Sequence, residues 1–166
     1  MVLVAYAFLS NVALAVVPHE PVVIWYGPRL GVWATALLAT TGTVAAAWVD
    51  HRLLAPMVGR LAARRRVTGA RPPLLERWFA KAPFAILATS GITPLPFFPF
   101  KVLAFAVRYP RLPYLAAVAV GRLPRYALLA WLGALVRLPG WALLLVFALL
   151  LLPSLRMIPW PTRNAN

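Results

Sequence analysis

The sequence predicts an all-α, polytopic membrane protein with two opposed re-entrant helical hairpins and about four transmembrane helices. Three observations carry that expectation. Apolar residues make up 63% of the 166 and charged residues 12%, about half the charged share of an ordinary globular domain. One soluble core of this length cannot hide so much apolar surface, and lipid is the ordinary solvent for the excess. Eight of the 17 Lys and Arg residues fall between Arg52 and Lys81, with apolar blocks on both sides, which is the pattern of a basic loop between spans. Finally, two apolar segments are broken by prolines, as in chain that enters a bilayer and turns back.

The net charge of +14 would suit nucleic acid if it formed a surface patch, but its placement between apolar blocks points to a membrane face instead. No nucleic-acid partner is expected. The chain has no Cys, three acids and two His, so no disulfide, thiol chemistry or metal cluster can be assembled. No Ser-His-Asp set or carboxylate pair is present either, and the sequence is read as neither an enzyme nor a cofactor protein.

A single membrane domain is expected over residues 1–158, followed by a short polar tail at 159–166. Met1–Val17 is apolar but short for a span of about 20 residues. It carries no basic start or small-residue cleavage pattern, so no cleaved signal peptide is expected. It stops at Pro18-His19-Glu20-Pro21, resumes at Val22–Tyr26 and breaks again at Gly27-Pro28-Arg29. Residues 5–29 are read as the first re-entrant hairpin, shaped by Pro18 and Pro21. A span follows at 30–50, rich in Ala, Thr and Gly, residues that permit close helix packing in lipid and suit the middle of a bundle.

Residues 51–73 are read as a basic cytoplasmic loop, with Arg64-Arg65-Arg66 near anionic headgroups. Leu74–Ala88 begins amphipathic and turns apolar after Pro83. The second re-entrant hairpin is placed at 82–108, its break shaped by Gly91, Pro94, Pro96 and Pro99. Spans at 112–136 and 140–158 complete the set, and Pro153 predicts a kink in the last.

Charged residues in apolar sequence are the functional candidates. Glu20 is either a hairpin tip at the water interface or a carboxylate in a shared cavity, with His19 as a proton-handling neighbour. Asp50 reads as a solvated helix end or a cavity residue. Arg122 and Arg125, three apart, share a helix face with Tyr126 nearby. Both are expected to point inward, to bind phosphate or to pair with Glu20. Lys101 and Arg108 are interface anchors or headgroup contacts.

The order of Gly91-Ile92-Thr93-Pro94-Leu95-Pro96, then Arg108-Tyr109-Pro110-Arg111, then Gly121-Arg122-Leu123-Pro124-Arg125-Tyr126 ending at Gly133 resembles the DedA family, membrane proteins with the VTT domain also called SNARE-associated Golgi proteins. Pro18-His19-Glu20-Pro21 is similar to that family's first hairpin tip, and Gly42 with Asp50 loosely resembles its following helix. The similarity covers roughly residues 5–137. Ser10 and Asn11 stand where the family usually carries a further acid, and Thr89, Ser90 and Thr93 where many members carry arginines. The resemblance implies movement of an anionic lipid across a cell membrane, undecaprenyl phosphate or phospholipid. Arg122, Arg125, Tyr126, Lys101 and Arg108 would meet the headgroup, and Glu20, His19 and Asp50 would line the cavity. A membrane scaffold and a proton-coupled carrier of small ions remain the alternatives, and a homo-oligomer is compatible with either.

Overall fold

The structure, a computed structural model, describes residues 1–12, 18–67, 74–93, 97–136 and 139–156, excepting the side chains of 66, 67, 146 and 150–156. All its regular elements are helices: α1 Val2–Asn11, α2 Glu20–Leu30, α3 Val32–Val67, α4 Leu74–Lys81, α5 Pro83–Ile92, α6 Phe98–Ala106, α7 Arg111–Leu135 and α8 Gly140–Arg156. Two of them, Val32–Arg65 and Arg111–Leu135, are long and apolar enough to cross a membrane.

Each short helix begins where the sequence allows it. Pro21, Pro83 and Pro99 stand in the first turns of α2, α5 and α6, where their missing N–H groups have no partner to lose. Pro21 and Pro99 therefore start the arm that follows each break, and Pro18 accepts a hydrogen bond from Tyr6 Oη at 3.2 Å. Pro94 and Pro96 lie outside the described residues. Two expected breaks are corrected. Gly27 and Pro28 are helical, and the chain turns only at Gly31, whose φ of 83° is open to glycine. Gly91 is also helical, lying in α5 and packing its bare Cα toward Gly121.

The largest correction concerns residues 51–67, expected as loop but continuous with α3. Leu, Ala, Met and Arg fill that stretch, all strong helix formers, and they carry the helix past Pro56. A helix of 36 residues is about 54 Å long, longer than a bilayer of about 40–45 Å with its headgroups. Its Arg-rich end therefore stands clear of any hydrocarbon layer that contains its start.

Helix pair followed by long helix occurs twice, as α1–α2–α3 and α5–α6–α7. The long helices α3 and α7 pack on each other at the centre. Helix α1 packs on its own long helix, α3, while α2 crosses to α7; α5 packs on α7, while α6 crosses to α3. Glycine marks the equivalent crossings. A Cβ on Gly42 would strike the Val4 carbonyl of α1, and one on Gly121 would strike the Ala88 carbonyl of α5. Backbones approach this closely only where side chains are absent.

Apolar side chains face outward as well as inward, and several polar ones are buried. Leu9, Leu37, Leu53, Leu128, Trp33 and Trp131 are exposed, while Asp50, Lys101, Arg122, Thr43 and Ser90 are buried. Between them lie two clusters of buried apolar groups. Tyr114, Phe105, Phe79 and Leu87 form one, and Leu3, Val23, Ala39 and Tyr126 the other. Helix α4 is amphipathic, with Phe79 buried and Leu74, Leu75 and Trp78 exposed.

Candidate functional site

Every charged side chain buried in the bundle comes from a helix that meets α3 or α7, so the central pair organises them. At one end α6 presents Lys101 to α3. Its Nζ donates to Asp50 Oδ2 at 2.5 Å and to the Asn11 carbonyl at 3.2 Å, and both charged side chains are 3% exposed. Asp50 is therefore an interior residue, because α3 does not end there as the sequence reading supposed. The Asn11 carbonyl belongs to the last turn of α1, where a cation meets the negative end of the helix dipole. Lys101 thus ties α6 to α3 and to the end of α1. It is not a surface anchor.

In the other half the signs are reversed. Glu20, at the start of α2, accepts from Arg125 Nη2 of α7 at 2.7 Å, while Arg125 Nη1 donates to the Thr93 carbonyl at the end of α5, also at 2.7 Å. Each helix pair thus lends a charge to the long helix of the opposite half: Glu20 to Arg125 and Lys101 to Asp50. Of the two alternatives open for Arg125, its nitrogens take the pairing with Glu20.

Arg122 is different. It is 4% exposed, its Nε has no hydrogen-bond partner, and its guanidinium lies 5.1 Å from the Phe97 ring centroid. On α7 it stands one turn before Arg125 and Tyr126. Tyr114 Oη, fully buried, is also without a partner. Two buried donors without acceptors are costly in any apolar interior, and both suit an oxyanion.

A hydrogen-bonded chain passes through Tyr126. Tyr126 Oη lies 2.7 Å from His19 Nε2 and 2.9 Å from Thr43 Oγ1, and Thr43 Oγ1 donates to the Ala39 carbonyl at 3.0 Å. Removing the hydroxyl by Tyr126→Phe takes that partner from buried His19 Nε2 and leaves Thr43 Oγ1 only its bond to the Ala39 carbonyl. The expected loss is about 1–3 kcal/mol, read as a lower thermal midpoint in detergent. An unchanged midpoint would show that His19 and Thr43 find other partners.

The interior polar groups thus comprise the ion pairs Lys101–Asp50 and Arg125–Glu20, the Tyr126–His19 contact and Arg122. Arg108 stays outside them. It is exposed, with a positive φ of 57°, and lies beside Gly59 of α3, nine residues or about 13 Å along the helix from Asp50. Sequence reading missed Tyr114, Thr43 and His51, whose Nε2 lies 3.1 Å from the Tyr109 carbonyl. Thr43 and His51 lie near Asp50 in sequence, a signal too common to single residues out, and Tyr114 has no acid near it in sequence at all. No family model, curated protein or solved structure matches the chain.

Proposed function

We propose that this protein is a multi-pass membrane protein of DedA type that carries the headgroup of an anionic lipid across the bilayer. One observation carries the reading. Arg122 is a buried cation whose Nε has no hydrogen-bond partner among the described residues, inside a bundle that exposes many leucines and tryptophans. A guanidinium matches phosphate in shape and charge. The lipid tails stay outside among the exposed apolar side chains, and the headgroup exchanges its water for Arg122 and Tyr114.

In this proposal α1–α2 and α5–α6 are re-entrant hairpins, and α3, α7 and α8 with further apolar chain make about four spans. Paired broken helices in two halves mark the binding site in transporters, which supports that assignment. The Arg-rich end of α3 faces the cytoplasm at the cell membrane.

The test is reconstitution into liposomes with labelled phospholipid or polyprenyl phosphate. Wild-type protein is expected to move one of them faster than empty vesicles do. Arg122→Met is expected to abolish that transfer while leaving the thermal midpoint equal or higher, because a buried charge without a carboxylate partner is removed. A membrane scaffold would give no transfer with either protein.

A further inference from the structure

We infer that the anion accepted at Arg122 is a lipid headgroup carrying a single negative charge, a phosphodiester rather than a phosphomonoester or a zwitterion. The inference rests on the reading of Arg122 as a headgroup site and adds the charge the headgroup must have.

The charges of the cluster determine this. Lys101 and Arg125 are paired with Asp50 and Glu20, and Arg122 is a third, buried cation. With the histidines neutral, one positive charge is left over, and it is centred on Arg122. The sequence between the helices of each pair does not alter the count, since residues 12–18 and 92–100 contain no charged residue. An interior of low dielectric strongly favours neutrality. A ligand of charge −1 completes it without disturbing either ion pair.

The competing headgroups fail for separate reasons. A dianionic phosphomonoester overshoots by one negative charge, and Lys101 and Arg125 are already bound to Asp50 and Glu20. A zwitterionic headgroup brings an ammonium among three cations, with both carboxylates bound to Lys101 and Arg125. The phosphodiester monoanion leaves every charge matched, whereas a phosphomonoester does so only by taking up a proton, which is hard at alkaline pH. Phe97 beside the guanidinium and the leucine surface favour an acyl-chain-bearing source over a free phosphate.

Binding tests this apart from transport. Purified full-length protein at pH 8.5 is titrated with short-chain phosphatidylglycerol, phosphatidic acid, phosphatidylcholine and the tail-less diester glycerophosphoglycerol. At this pH a phosphomonoester is close to fully ionised. Stabilisation against heat is the readout. Phosphatidylglycerol is expected to stabilise wild-type protein at concentrations about tenfold lower than the others, the least effect one unmatched buried charge should have. Glu20→Gln raises the excess to two positive charges and is expected to invert the order in favour of phosphatidic acid. Equal stabilisation by all lipids, or by none, overturns the inference, and so does an unchanged order in Glu20→Gln. Equal potency of glycerophosphoglycerol overturns its lipid part. Diester-selective binding without transfer in liposomes would instead remove the transport reading and keep the charge rule. Transfer of all three lipids at equal rates would do the reverse.

Discussion

Lys101→Met is expected to destabilise the fold by roughly 3–5 kcal/mol, because it leaves the Asp50 carboxylate buried without its cation. The side chains of the pair are 3% exposed, so the carboxylate left behind is almost entirely out of water. The same ammonium holds the Asn11 carbonyl, so the end of α1 loses its tie to α6 as well. Replacing both charges at once, with Asp50→Leu and Lys101→Met, is expected to recover most of the loss, since a buried pair contributes little over a well-packed apolar pair. In a chain of this size, about 1 kcal/mol moves the midpoint by roughly 2–4 °C. The single variant should therefore unfold about 6–20 °C lower, and the double variant near wild type. A single variant within about 2 °C of wild type would mean that Asp50 is neutralised or hydrated from elsewhere.

The second large effect is expected at Gly133. A Cβ there would land on the Ile24 carbonyl oxygen of α2, and one on Gly27 of α2 would land on the Ala130 carbonyl of α7. The two helices touch backbone to backbone at both places. A side-chain clash can be relieved by rotation, whereas this one requires α2 to move away from α7. Gly133→Leu should therefore exceed the 1–3 kcal/mol usual for overpacking. It should also separate Glu20 from Arg125, because α2 carries one and α7 the other. Gly140 offers the control, since an added Cβ there meets nothing within 4 Å. The expected outcome is a midpoint drop well above 5 °C for Gly133→Leu and none for Gly140→Leu. Equal behaviour of the two would refute the close approach of α2 and α7.

The sequence exposed the helical class and the two interruptions, because apolar runs and prolines act locally. It did not expose where α3 ends. The Arg64-Arg65-Arg66 run was given more weight as a loop signal than the helix propensity of the Leu, Ala and Arg around it, and the helix followed propensity. Gly91 was misread for a related reason. A glycine near prolines looks like a break, but this one faces Gly121 of another helix, and sequence does not report such neighbours. The candidate charges were found as residues and only half found as pairs. Arg125 with Glu20 was one of two readings, while Asp50 with Lys101, 51 residues apart, was not foreseen. The scarcity of acids was the missed clue. With only three in the chain, a buried lysine had few possible partners.

The crossed charges also set a timetable for synthesis. Asp50 leaves the ribosome 51 residues before Lys101, and Glu20 leaves it 105 residues before Arg125. At about 5–20 residues per second, each carboxylate waits for seconds before its cation exists. Neither carboxylate can meet its cation while only the first half of the chain exists. The packing of α2 against α7 and of α6 against α3 is therefore a late event, completed only when the second half supplies Arg125 and Lys101.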